Sequence, residues 1–114
     1  MKIKTVYFDT DKKYGDLIKV FKNSANFYMP DIDVDIYEMK PPKDKNREGI
    51  YNRRVDMANA FIFLAKKTLE EQNEIVAACD ADLMFTNSIE DIKEYNFDVA
   101  ITIREGKYIF NTGI

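Results

Sequence analysis

Two aspartates separated by one residue are the strongest chemical signal in this chain of 114 residues. Asp80 and Asp82 follow an apolar run, Ile75 to Cys79, whose length is typical of a buried strand. Side chains two residues apart in an extended segment point the same way, so both carboxylates can converge on one cation. Hard divalent cations prefer such oxygen ligands. The pattern predicts a metal site at the end of a central strand, and its alternative is a pair of solvated aspartates in a turn.

The first third of the chain contains the elements that would position such a site. Ile3 to Phe8 is rich in β-formers and ends in the polar run Asp9 to Asp11. Apolar residues then recur at three- and four-residue steps from Tyr14 to Tyr28, which predicts a helix. Ile32 to Ile36 alternates apolar and acidic residues, as in a strand with one solvated face. Strand, helix and strand at this spacing favour a βαβ unit with parallel strands.

The remaining elements follow from composition and period. Lys40 to Tyr51 contains two prolines and many charges and is predicted to be a loop. Arg54 to Leu69 carries apolar residues on two helical faces, which predicts a buried helix. A short helix is expected at Ile89 to Tyr95, and further strands at Phe97 to Ile103 and Tyr108 to Phe110. The whole pattern predicts one α/β domain over residues 1–114, a three-layer, Rossmann-like, mostly parallel sheet of four or five strands.

In an open parallel sheet, ligands bind beyond the carboxyl ends of the strands. The first predicted strand ends at Asp9 to Asp11 and the central one at Asp80 to Asp82. If these two strands are parallel, both acidic clusters lie at the same edge of the sheet. That edge is therefore where the sequence predicts a ligand.

Composition excludes several classes of function. The net charge of −3 argues against a general nucleic-acid binder, and the absence of histidine excludes histidine-based triads and zinc sites. The single cysteine, Cys79, permits no intrachain disulfide and favours a reducing, cytoplasmic setting. The first residues lack the apolar core of a signal peptide, and the apolar run Ala60 to Ala65 is too short to span a bilayer.

The run VAACDADLMFTNSIEDI, from Val76 to Ile92, resembles the nucleotide-diphospho-sugar glycosyltransferases of the GT-A fold. In that family an Asp-X-Asp motif ends a buried strand and a short helix follows. A later strand often reads like FDVAITIRE, here Phe97 to Glu105, and precedes a Phe-Asn-Ser/Thr-Gly segment, here Phe110 to Gly113. The resemblance covers nearly the whole chain, which would correspond to the N-terminal half of a truncated GT-A domain.

The resemblance implies a metal-dependent glycosyltransferase of the hexosyltransferase type, which transfers a sugar from a nucleotide-diphospho-sugar, with a UDP-sugar favoured, to an acceptor. Asp80 and Asp82 would hold manganese or magnesium, Mn²⁺ or Mg²⁺. No catalytic base is assigned, because the family carries it in the half that this chain would lack. The implied nucleotide-side residues are Phe8, Asp9, Thr10, Tyr14, Arg54, Asp80 and Ala81, and the implied sugar or acceptor side is Asn111, Thr112 and Gly113.

Two other functions fit parts of the pattern. A phosphatase of the haloacid dehalogenase type also uses Asp-X-Asp after a strand, but it requires Thr or Val two residues beyond the second aspartate. Lys13 and Met84 stand at those positions here. A non-catalytic α/β module that binds a nucleotide or a partner protein remains the main alternative.

A half-domain would also leave a strand edge or an apolar face uncovered. We therefore expect a homodimer formed through the C-terminal region, near Phe97 to Ile103 or Tyr108 to Phe110. The alternative is a monomer whose last segment folds back over the sheet.

Overall fold

The computed structural model of the chain describes residues 1–8, 12–40 and 50–100, with the backbone alone at 12–13 and 50–54. The predicted order of strands and helices is confirmed over the described residues up to 96. The elements are β1 (Lys2–Phe8), α1 (Lys12–Tyr28), β2 (Asp33–Met39), α2 (Ile50–Leu69), β3 (Val76–Asp80) and a 3-10 helix (Glu90–Glu94).

The three described strands form one parallel sheet in the order β2-β1-β3. Ile3 lies opposite Val34 on β2 and Ala77 on β3. The predicted parallel βαβ unit is thus confirmed, but among the described strands β3 is not the central one. β1 takes the middle of the described sheet because it pairs on both sides, which leaves β3 at an edge of that sheet, with Asp80 exposed.

Fewer strands are described than the four or five expected. Residues 97–100 form no strand, which contradicts the first part of the strand predicted at Phe97 to Ile103. The rest of that prediction and the one at Tyr108 to Phe110 lie outside the described residues.

The hydrophobic core lies between the sheet and α1. Phe21 and Met29 on α1 are fully buried against Ile3, and the rings of Phe21 and Phe85 lie 5.5 Å apart. The predicted helical stripe of α1 is confirmed by this packing. The buried members of the core are Ile3, Phe21, Ala25, Met29, Ile32 and Phe85.

α2 packs on the opposite face of the sheet, so the described part has three layers. Ala60 and Leu64 are buried there, and the Phe63 ring lies 5.4 Å from that of Tyr37. The helix begins at Ile50, four residues earlier than predicted.

The prediction that α2 is buried on both faces is wrong, because Ile62 and Leu69 on its outer face are exposed. Among the described residues, no helix combines the length and apolar character required to cross a membrane.

Candidate functional site

The chain order of the strands reverses at β1, because β2 lies on one side of it and β3 on the other. In doubly wound sheets such a reversal opens a crevice outside the carboxyl ends of the two strands, where ligands bind. β1 ends at Phe8, and β3 ends at Asp80, which pairs with Val6. The parallel pairing therefore brings Phe8 and the acid pair to the same edge of the sheet, as the sequence predicts for parallel strands.

The acid pair spans the end of β3 and the turn that follows it. Asp80 is the last residue of the strand, and Ala81 and Asp82 are in the turn. Ala81 is buried whereas both aspartates are exposed, so the two carboxylates project away from the core. Partial burial, and next the charge of Asp82, raise the pKa of the Asp80 carboxyl above its usual value. The repulsion between these carboxylates is the kind that a bound cation relieves.

Two carboxylates supply only part of the coordination shell that a divalent cation requires. Within residues 1–8, 12–40 and 50–100, no group of three or more acidic or cysteine side chains is arranged to hold a metal ion. Magnesium and its relatives commonly bind through one or two carboxylates, with substrate phosphates and water as the other ligands. Asp80 and Asp82 therefore fit a cation that binds together with a phosphorylated ligand.

The polypeptide is anchored on both sides of the acid pair. Upstream, β3 pairs with β1, and the Lys2 amide donates a hydrogen bond to the Ile75 carbonyl at 2.9 Å. Downstream, the Phe85 amide donates to the Ser24 hydroxyl on α1 at 3.0 Å, and the Phe85 side chain is buried in the core. These contacts fix the position of the aspartates although their own side chains are in solvent.

Cys79 precedes the acid pair and is the free thiol of the site region. Burial, and then the negative charge of Asp80, raise the pKa of Cys79 to about 11. The thiol is therefore protonated at neutral pH and is poorly suited to act as a nucleophile or a metal ligand.

The other residues predicted for the site are described only in part. Tyr14 is half-buried in the first turn of α1, close to the carboxyl end of β1, and lies outside the buried core cluster. Arg54 belongs to α2, where the structure describes its backbone alone. The predicted residues that lie outside the described ranges are Asp9, Thr10, Asn111, Thr112 and Gly113.

A buried lysine, which sequence reasoning missed, lies under α2. Lys4 on β1 is 2% exposed, and its ammonium nitrogen lies 3.0 Å from Glu71 Oε1 and 3.2 Å from Asp35 Oδ2. It also donates a hydrogen bond to the Tyr37 hydroxyl at 3.3 Å. Lys2 pairs with the same Glu71 carboxylate at 3.1 Å. We call these five residues the Lys4 cluster.

The charges of the Lys4 cluster stabilise one another. Burial alone would lower the pKa of Lys4, but hydrogen bonds with Glu71, Tyr37 and Asp35 raise it above the ordinary lysine value. Hydrogen bonds from Lys4 and Lys2 lower the pKa of Glu71. At neutral pH the Lys4 ammonium and the Glu71 carboxylate are therefore ionised, and the cluster acts as a structural support of the sheet.

A signal for this cluster was present in the sequence. β1 carries Lys2 and Lys4 and β2 carries Asp33 and Asp35, each pair two residues apart. In the parallel register Lys4 lies opposite Asp35 on β2 and Ala78 on β3. Ala78 and Asp80 are two residues apart on β3, so Asp80 lies on the same face of the sheet as Lys4. Opposite charges at matching strand positions could thus have suggested the pairing.

Comparison with protein-family models, with curated proteins and with solved structures gives no match for this chain. The resemblance to glycosyltransferases therefore rests on the sequence motifs. The fold is compatible with it at the level of a small parallel α/β sheet with a helix on each face.

Proposed function

We propose that this chain binds a nucleotide-diphospho-sugar together with Mn²⁺ or Mg²⁺ and is a metal-dependent glycosyltransferase or a truncated relative of one. The observation that carries the proposal is the position of Asp80 and Asp82. The two carboxylates lie at the carboxyl end of β3, beside the end of β1, where the order of strands reverses. An exposed acid pair at that point is well placed to meet a cation carried by a diphosphate.

Each aspartate has a separate role in this proposal. Asp82 projects from the turn beyond β3 and is the direct ligand, while Asp80 adds a second oxygen or binds through water. A bound divalent cation stabilises the negative charge that develops on the nucleoside diphosphate as its bond to the sugar breaks. The chain contributes by holding the carboxylates at a fixed position, through the β1 pairing and the Ser24 contact.

The remaining site residues are assigned by the resemblance in the sequence. Phe8 and Tyr14, with Asp9 and Thr10 between them, are proposed to lie on the nucleoside side, with UDP as the favoured nucleotide. Arg54 is proposed to approach the diphosphate, because a guanidinium group binds phosphate oxygens in a bidentate manner. Asn111, Thr112 and Gly113 are proposed to lie near the sugar or the acceptor.

The second candidate is a non-catalytic module that binds a nucleotide or a partner protein. It is favoured by the lack of a third acidic ligand in the described part of the chain and by the apolar residues exposed on α2. The two candidates differ in one measurable property, because only the enzyme releases free nucleoside diphosphate from the nucleotide-sugar.

Isothermal titration with UDP, GDP and CDP, each with and without Mn²⁺, tests the proposal. We expect one nucleotide to bind in the presence of the cation and to bind at least about tenfold more weakly without it. Asp82→Asn should abolish the effect of the cation, whereas Asp98→Asn, which removes an exposed charge outside the Asp-X-Asp motif, should leave it intact. Failure of all three nucleotides, or equal affinity with and without Mn²⁺, would contradict the proposal. Release of UDP from a UDP-sugar then distinguishes the enzyme from the module.

A further inference from the structure

The outer face of α2 carries an apolar stripe with coiled-coil spacing. Val55, Ala58, Ile62, Ala65 and Leu69 follow one another at steps of three, four, three and four residues. This is the repeat by which two helices pack along a common seam. The stripe runs over about 21 Å of helix, at 1.5 Å per residue.

The stripe faces away from the sheet. Ala60 and Leu64 are the residues of α2 buried on the sheet side, whereas Ile62 is 52% and Leu69 is 76% exposed. Phe61 borders the stripe and is 47% exposed. Single exposed apolar residues are ordinary, but a continuous row along one helix face marks an interaction surface.

The spacing of the stripe selects a helix as its partner. Among the described elements, α1 buries Phe21 and Met29 on the other side of the sheet. Its exposed large apolar residues, Val20, Phe27 and Tyr28, do not follow the spacing of the stripe. The sequence of residues 101–114 contains no series of apolar residues at alternating steps of three and four, so it offers no matching seam. Of the described helices, α2 is the one with an exposed apolar stripe of this spacing. The matching helix is therefore the α2 of a second copy of this chain.

We propose that two copies of the chain associate through antiparallel pairing of their α2 helices, with the two-fold axis close to Phe61 and Ile62. In this arrangement Ile62 meets its own counterpart, Ala58 meets Ala65, and Val55 meets Leu69. The small alanine layers on both sides of Ile62 let the two helix backbones approach closely. Such a self-complementary contact closes after two copies, as expected of a two-fold interface.

Electrostatics selects the antiparallel direction over the parallel one. Lys66 is exposed directly beside the stripe, so parallel pairing in register would bring the two Lys66 side chains to the same level. Antiparallel pairing separates them by about 12 Å along the axis, at 1.5 Å per residue. It also sets the helix dipoles in opposition, with the amino end of each helix beside the carboxyl end of the other.

The proposed interface is small. A contact of four helical turns falls at the lower end of specific interfaces, which begin at roughly 1,000 Å² of total buried surface. We therefore expect a dimer that dissociates on dilution, with a dissociation constant on the order of micromolar.

Sedimentation of the full chain across a range of concentrations tests the dimer. The mass should rise from the monomer value of 13.3 kDa towards twice that value as concentration increases. Ile62→Glu should shift the midpoint of the monomer–dimer transition to at least about tenfold higher protein concentration. Phe27→Glu, at a 78% exposed position on α1, should leave that midpoint unchanged. A monomer at every concentration would overturn the proposal. A dimer that survives Ile62→Glu and is lost in Ile103→Glu would place the interface in the C-terminal region and would also overturn it.

Disulfide trapping in a Cys79→Ser background tests the direction of pairing. Phe61→Cys should form a crosslinked dimer under mild oxidation, because the two positions lie beside the axis. Leu69→Cys should not, because its two copies would be about 21 Å apart along the helices at 1.5 Å per residue. Crosslinking at position 69 would overturn the antiparallel arrangement. Circular dichroism of each variant confirms that the fold is retained.

Discussion

The Lys4 ammonium nitrogen lies 3.0 Å from the Glu71 carboxylate, across a separation of 67 residues in the sequence. Lys4 is on the middle strand and Glu71 follows the carboxyl end of α2. The ion pair therefore holds the end of α2 and the start of the segment leading to β3 against the centre of the sheet. Because Lys4 is almost fully buried, the loss of Glu71 would leave a desolvated ammonium group with Asp35 as its one described carboxylate partner, which is more costly than the loss of a surface pair.

We expect Glu71→Gln to lower the free energy of unfolding clearly, because Lys4 and Lys2 would then lose a charged acceptor. Glu70→Gln is the matched control, since Glu70 pairs with Lys67 on the surface and is 59% exposed. That control should change stability by no more than about 0.5 kcal/mol. Urea unfolding at neutral pH measures both variants. An equal loss of unfolding free energy in both variants would show that the Lys4–Glu71 pair contributes no more to stability than the exposed Lys67–Glu70 pair.

The same carboxylate makes stability depend on acid pH. The pKa of Glu71 in the folded chain is below its ordinary value of 4.5, because Lys4 and Lys2 donate hydrogen bonds to the ionised form. Its contribution is therefore fully present above pH 4.5 and is lost as the pH falls through that value and then through the lower folded value. The difference in unfolding free energy between the native sequence and Glu71→Gln should shrink in that range. A difference that stays constant from neutral pH to about pH 3 would contradict this assignment.

Thr5 offers a position where a substitution should stabilise the protein. Its side chain is fully buried, and its hydroxyl has no hydrogen-bond partner among the described residues. Thr5→Val keeps the shape and removes the unsatisfied polar group, so the free energy of unfolding should rise by about 1 kcal/mol. Thr5→Ser keeps the hydroxyl and deletes a methyl group, and stability should fall by about 1 kcal/mol. If Thr5→Val lowers the urea midpoint instead, the hydroxyl does make a hydrogen bond.

Asp80→Asn should raise the stability of the protein and weaken its binding of nucleotide. The substitution removes a charge at an exposed position and its repulsion with Asp82, so the free energy of unfolding should rise by less than about 1 kcal/mol. Under the proposed function, the same substitution should weaken Mn²⁺-dependent nucleotide binding, because one of two carboxylates is lost. Thermal unfolding and titration of the same sample measure both effects. A loss of stability would mean that the Asp80 carboxylate makes a favourable contact in the free protein.

Local periodicity was sufficient to predict most of the described elements. β1, α1 and β2 appear where the alternating and helical patterns place them, because one face of each must be apolar to reach the core. The acid pair could also be predicted at a strand end, since a buried run followed by two aspartates is a local feature of the chain. The strand-helix-strand order implied parallel pairing of β1 with β2 only. The parallel pairing of β1 with β3, which brings this pair and the end of β1 to one edge, was a condition in the sequence analysis and is shown by the structure.

Only the tertiary structure decided which strand takes the middle of the described sheet, which side of α2 packs, and that Lys4 is buried. Strand order depends on pairing between remote segments, and an apolar run can form a strand at the centre or at the edge of a sheet. The sequence of α2 offers two apolar faces, and packing on the sheet selects the one with Ala60 and Leu64. Lys4 can be buried because Asp35 and Tyr37 on β2 and Glu71 after α2 converge on it from two other parts of the chain, a convergence that no local pattern contains.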